Sequence, residues 1–87
     1  MQLTFDPDTK VLYITLADDQ DYKVAKTVEF AQEVFIDLDE RGKVLGIEML
    51  NPGIYSFHFI EKIADQYKLP QLKRIQHPEK IEEIIPA

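Results

Sequence analysis

Five short stretches within residues 3–50 are rich in aliphatic and aromatic side chains, and each is bounded by Asp, Gly, Pro or Gln. Apolar and polar residues alternate along several of them, which is the period of a β-strand with one buried face. The loops between them are short, and a short loop returns the chain antiparallel to the preceding strand. The pattern therefore predicts an antiparallel β-meander with strands at residues 3–5, 11–16, 24–30, 33–38 and 43–50.

The turns between these strands have recognisable chemistry. Asp6 can accept hydrogen bonds from the backbone just after it, and Pro7 presets φ for a turn. Gly42 provides a residue with positive φ for a hairpin centred on Glu40 and Arg41. The alternation then predicts one core-facing set, which consists of Leu12, Ile14, Leu16, Val34, Ile36, Leu38, Leu45, Ile47 and Met49.

The period changes after Asn51-Pro52-Gly53. Apolar residues then recur at spacings of three and four, which predicts one amphipathic helix over 54–69 that packs on a sheet face. Pro70 ends it. The tail, 70–87, is predicted to be short and helical or extended, with three isoleucines on one face if it is helical. We therefore expect an α+β fold with residues 1–87 in a single domain.

Composition narrows the possible functions. The 87 residues include no cysteine, which excludes disulfides, thiolate metal sites and cysteine nucleophiles. The net charge is −6, and the whole excess lies in residues 1–50, with eleven acids and five bases, whereas residues 51–87 carry five of each. Such a surface repels phosphate and attracts basic proteins, so we expect no nucleic-acid partner.

The hydropathy pattern bears on location. No apolar run approaches the roughly 20 residues that a membrane-spanning helix needs. The first residues also lack the basic and apolar regions of a signal peptide. We therefore expect no membrane partner and a cytoplasmic location, which also suits a small domain without disulfides.

One motif nearly matches a calcium-binding loop. Asp37, Asp39, Gly42 and Glu48 have the right spacing, but Arg41 stands where a ligand oxygen belongs. The flanking residues are patterned as strands, whereas that loop joins two helices. We predict a hairpin and no metal site.

The other candidate groups indicate little chemistry. Ser56 and His58 are two residues apart, so their side chains diverge on a helix, and no nucleophile-elbow motif surrounds the serine. His77 has no second histidine nearby, and the acidic loop 18–21 is typical of a solvated turn. The sequence predicts no catalytic residues, no cofactor and no enzymatic activity.

Three stretches have the order and spacing of a bacterial family. Residues 5–16, 25–29 and 36–50 resemble the patterns YDPxxDxLYIxL, VxxTxE and VxxDxDxxGxxxGIEIL of domain-of-unknown-function family 2283, with Lys10 and Val11 in place of the usual Asp-Ala. The resemblance covers residues 3–50 and implies a small β-meander domain without an assigned activity. Some members look like neighbours of small toxin-like proteins, which implies an antitoxin-like role. No catalytic residue carries over.

Two functional hypotheses follow. One helix covers one sheet face, so apolar side chains on the opposite face indicate an interface. We therefore expect a protein-interaction module that forms a homodimer and binds a basic partner. The expected interface residues are Tyr13, Phe35 and Val44 of the sheet and Ile81, Ile84 and Ile85 of the tail. The alternative is a small-ligand-binding domain with a pocket lined by Tyr55, Phe57 and Phe59 between helix and sheet.

Overall fold

A computed structural model describes residues 1–17, 22–53 and 56–75, without the side chains of residues 56, 57, 74 and 75. The elements are β1 (Gln2–Asp6), β2 (Val11–Thr15), β3 (Lys26–Ala31), β4 (Val34–Leu38), β5 (Val44–Leu50), α1 (Ser56–Gln66) and a 3₁₀ helix (Pro70–Ile75). The predicted α+β fold class, with five antiparallel strands followed by one helix and a short helical segment, is confirmed.

All neighbouring strands are antiparallel, and β5 lies at the centre of the sheet. Strands β3, β4 and β5 follow one another as a meander, whereas β2 pairs with β5, so the order is β1-β2-β5-β4-β3. The connection from β2 to β3 therefore passes two strands. Its ends are anchored by hydrogen bonds from Leu16 N to Leu45 O at 2.8 Å and from Ala25 N to Leu38 O at 2.9 Å.

The core lies between one sheet face and α1. Ile60, Ile63 and Ala64 of the helix pack there with buried side chains of β2, β4 and β5. These strand residues are Leu12, Ile14, Val34, Ile36, Val44, Ile47 and Met49. Burial of one such aliphatic side chain is worth about 1.5–3 kcal/mol, so this layer provides most of the stability of the fold.

The predicted sheet faces of Val44 and Leu45 are wrong, because β5 begins with a β-bulge. Leu38 pairs with Val44 and Asp37 pairs with Gly46, so Leu45 is the extra residue. The bulge reverses the alternation, because side chains beyond it move to the other face. Val44, expected on the outer side, is 5% exposed and belongs to the core, while Leu45 is buried outside the core cluster.

The start of β3 and the end of α1 differ from the predicted boundaries by two residues or more. β3 begins at Lys26 rather than at residue 24, and Val24 is 44% exposed. α1 ends at Gln66 rather than at residue 69, because Lys68 takes a φ of 56° and Leu69 N donates to Ala64 O. Leu72 of the 3₁₀ helix is fully buried in the core, a position that the sequence pattern did not indicate.

Candidate functional site

Cross-strand rows of side chains run across the sheet face turned away from α1, called the outer face here. The registers place Thr4, Tyr13, Glu48, Phe35 and Glu29 in one row, and Gln2, Thr15, Gly46, Asp37 and Thr27 in the next. Directly opposite side chains in a sheet are about 5 Å apart, so members of a row interact. This face combines aromatic rings with carboxylates.

Asp37 is the centre of a hydrogen-bond network on the outer face. The Tyr13 hydroxyl group donates to its Oδ2 at 2.6 Å, and the Thr27 hydroxyl group donates to its Oδ1 at 2.6 Å. These are short, charge-assisted hydrogen bonds that tie β2, β3 and β4 together across β5. Both oxygens of this carboxylate are therefore occupied by protein donors.

Gly46 makes room for this network. Tyr13 reaches Asp37 diagonally across β5, and its ring lies directly over Gly46. A Cβ atom there would overlap the Tyr13 hydroxyl oxygen and lie only 2.5 Å from Cζ. A glycine inside a strand often marks such a close approach, and this one is buried by the tyrosine ring.

The β2–β3 connection brings Tyr22 over the outer face. Its ring centroid lies 6.4 Å from that of Tyr13, with the planes tilted by 58°. Partial burial, and then the negative charges of Asp37 and Glu48, raise the pKa of the Tyr22 phenol above its usual range. Tyr22 therefore lies in the negative field of the outer face, and its contact with Tyr13 partly covers that face.

Elsewhere on the outer face, the described residues include no element that packs over Phe35 and no base that pairs with Glu48 or Glu29. Phe35 is half-buried, lies between Glu48 and Glu29 in its row, and is absent from the side chains that pack on the core. Among the described residues, the one ion pair joins Lys73 and Asp65, whose Nζ and Oδ1 atoms are 2.9 Å apart on the helical side of the molecule. Within the described ranges, neither glutamate is paired with a base.

The expected interface residues are not all in one place. Tyr13 and Phe35 lie on the outer face, and Val44 lies in the core. Ile81, Ile84 and Ile85 fall outside the described residues. The interface role of these side chains stays a prediction.

The carboxylates of the calcium-like motif have turn and network roles. Asp39 Oδ1 accepts hydrogen bonds from Arg41 N and Lys43 N, both at 2.8 Å. The bond from Lys43 is the main reason that the pKa of Asp39 lies below its usual range. Gly42 has a φ of 83°, as predicted for this hairpin. In the described part of the chain, no three His, Asp or Glu side chains are grouped as a metal site would need.

Two open spaces adjoin Phe59 of α1. A cavity of about 200 Å³ lies near the β3–β4 turn and the end of β5, where Val34 and Met49 also line it. A larger groove of about 580 Å³ lies between β3 and α1, where Phe30 and Tyr67 line it. Of the three aromatic residues expected in a ligand pocket, only the side chain of Phe59 is described.

Sequence reasoning missed the Tyr13–Asp37–Thr27 network and the position of Tyr22. The calcium-like spacing indicated Asp37 as a candidate ligand, whereas its oxygens accept hydrogen bonds from two hydroxyl groups. The isolated Gly46 inside a largely apolar strand was the usable signal, because it indicates that another group comes close to the backbone.

The described helices bear on the membrane prediction to a limited extent. In the described ranges, none is long and apolar enough to span a bilayer, since α1 has 11 residues.

One of the three comparisons with known proteins gives a match. No curated protein and no solved structure gives a significant match to the chain. The sequence profile of the family described as protein of unknown function (DUF2283) matches residues 2–51, which contain all five strands and every residue of the Tyr13–Asp37–Thr27 network. The match spans more than half of the chain, so this protein belongs to the DUF2283 family.

Proposed function

We propose that this protein is a non-enzymatic interaction module that binds a basic protein through its outer face and also forms a homo-oligomer. The observation that carries the first part is the cross-strand row in which Phe35, a half-buried residue, lies between Glu48 and Glu29. An aromatic face beside carboxylates favours a lysine or arginine side chain, through cation–π attraction and ion pairing.

Charge complementarity decides which kind of partner suits this face. A second copy would bring its own Glu48 and Glu29 against the same acids, and opposed like charges destabilise an interface. A basic partner would instead bring opposite charges against these acids, which favours the complex. The antitoxin-like role implied by the family resemblance is a special case, in which the basic partner is a toxin-like protein.

The non-enzymatic part is supported by the state of Asp37. Both of its oxygens accept short hydrogen bonds from Tyr13 and Thr27, which gives this carboxylate a structural role. Glu48 and Glu29 stay available for a partner.

The test is an affinity capture from the source cell with a matched pair of baits. The outer-face variant Glu29→Gln/Glu48→Gln removes two charges from the proposed site. The control variant Glu33→Gln/Glu40→Gln removes two charges from exposed turn positions. We expect wild type and control to retain the same basic protein and the outer-face variant to lose it. The purified complex should weaken as salt rises. Retention of that protein by all three baits would contradict the proposal.

The homo-oligomer part rests on the tail. Ile81, Ile84 and Ile85 are too apolar to leave in water, and they require a surface. Light scattering of the full chain across micromolar concentrations tests this part. A mass that stays at 10.2 kDa would contradict it.

A small-ligand function is the second candidate, favoured by the open spaces beside Phe59. Ligand pockets usually measure about 300–1,000 Å³, so only the groove between β3 and α1 is large enough. A fragment screen followed by amide NMR separates the two functions. Changes in amide chemical shift that a fragment causes only in β3 and α1 would favour the small-ligand function. Changes that a basic peptide causes on the outer face would favour the protein-binding function.

A further inference from the structure

The cross-strand rows of the outer face contain acids and no base. A third row, on the other side of the row of Glu48 from Asp37, consists of Asp6, Val11 and Leu50. The three rows together contain four acids and neither lysine nor arginine, and the acids are Asp6, Glu29, Asp37 and Glu48. These rows therefore present negative charge that none of their own side chains neutralises.

The four acids differ in what already contacts them. Asp37 accepts hydrogen bonds from two hydroxyl groups, and Asp6 accepts one from the backbone of its own turn. Glu29 is exposed on edge strand β3, whereas Glu48 is half-buried on the central strand β5. Water and salt screen an exposed ion pair strongly and a partly buried one much less. Glu48 is therefore the acid at which a partner's cation gains most.

Aromatic residues flank Glu48 on both sides. Tyr13 and Phe35 are its direct cross-strand neighbours, so their Cβ atoms lie about 5 Å from its own. The Tyr13 ring lies over Gly46, the neighbouring outer-face residue of β5, and Tyr22 contacts this ring. Glu48 is therefore a half-buried carboxylate among aromatic residues.

These surroundings favour one kind of cation. A guanidinium group is planar, stacks on aromatic faces and can donate two parallel hydrogen bonds to one carboxylate. A lysine ammonium group is compact and strongly hydrated, so its entry into a half-buried site costs more. A carboxylate flanked by aromatic side chains therefore favours arginine over lysine.

We propose that Glu48 binds an arginine side chain of the basic partner, with Tyr13 and Phe35 beside the guanidinium group. This inference rests on the proposed function and names the side chain of the partner that the outer face recognises. Glu29, at the edge of the sheet, adds negative charge without selecting between arginine and lysine.

Two peptides that differ only in their cations test this specificity. One alternates glycine with arginine, the other alternates glycine with lysine, and both are titrated into the full chain at low salt while amide NMR gives the dissociation constants. We expect the arginine peptide to shift the amide resonances of Tyr13, Phe35 and Glu48 and to bind at least about threefold more tightly than the lysine peptide. Equal dissociation constants for binding to the outer face would overturn the arginine site and leave the basic-partner function standing.

Single substitutions locate the site. Glu48→Gln keeps the size of the side chain and should raise the dissociation constant of the arginine peptide at least about fivefold, whereas the matched control Glu29→Gln should raise it about twofold or less. Phe35→Leu keeps an apolar side chain without an aromatic face and should lower the preference for arginine over lysine.

Three outcomes would overturn the proposal. The first is an equal effect of Glu48→Gln and Glu29→Gln, and the second is an unchanged preference for arginine in Phe35→Leu. The third is that neither peptide shifts outer-face resonances. In each case the affinity capture with the matched baits still decides separately whether the outer face binds a basic protein.

Discussion

Gly46 accommodates the Tyr13 ring, which occupies the space that a side chain would take there. We predict that Gly46→Ala displaces this ring, breaks the hydrogen bond to Asp37 and lowers the free energy of unfolding by about 1–3 kcal/mol. Urea unfolding measures the loss. The control Gly53→Ala, where a Cβ atom meets nothing within 4 Å, should change little. In a Tyr13→Ala background, Gly46→Ala should also cost little, and strict additivity would contradict the assignment.

Lys68 is a second residue whose role depends on backbone geometry. Its φ of 56° is left-handed, and it follows α1 at the position where glycine usually ends a helix. We predict that Lys68→Gly raises the free energy of unfolding by about 0.5–1 kcal/mol, because the strain removed exceeds the entropy that glycine adds. Lys62→Gly is the same substitution inside the helix and should lower stability by a similar amount. Thermal unfolding should therefore shift the two melting temperatures in opposite directions.

At the scale of elements, Leu72 anchors the 3₁₀ helix in the core. Leu72 is fully buried in the core, whereas the neighbouring Leu69 is half-buried. We predict that Leu72→Ala lowers the free energy of unfolding by about 2–5 kcal/mol and that Leu69→Ala costs clearly less. Chemical denaturation measures both. A loss below 1 kcal/mol for Leu72→Ala would show that the segment does not depend on this contact.

The strands and the hairpin at Gly42 were predictable because period and turn chemistry are local properties. The sheet faces of Val44 and Leu45 were not predictable. They depend on a bulge in the pairing of β5 with β4, which leaves no local sequence signal. Leu72 was missed for a similar reason, because a single apolar residue in an irregular segment has no period. The outer-face network joins residues from three strands, so its prediction required the strand order.

At the scale of the whole molecule, two turn carboxylates link folding to pH. Hydrogen bonds from Asp8 N to Asp6 Oδ1 at 2.9 Å and from Lys43 N to Asp39 Oδ1 at 2.8 Å are the largest causes that lower the pKa of each acceptor. A group whose folded pKa lies below its unfolded value, about 3.9 for aspartate, stabilises the fold above that value. This stabilisation is lost as pH falls through the folded pKa.

We therefore predict that the melting temperature falls as the pH drops from about 4 toward 2, with contributions from both hairpin turns. The variant Asp6→Asn/Asp39→Asn keeps an accepting oxygen in each turn but cannot titrate, so its melting temperature should fall less over this range. The control Asp8→Asn/Glu40→Gln changes two exposed acids in the same turns that make no described side-chain hydrogen bond. It should keep the wild-type slope. Parallel slopes for all three proteins would show that the turn hydrogen bonds do not couple protonation to folding.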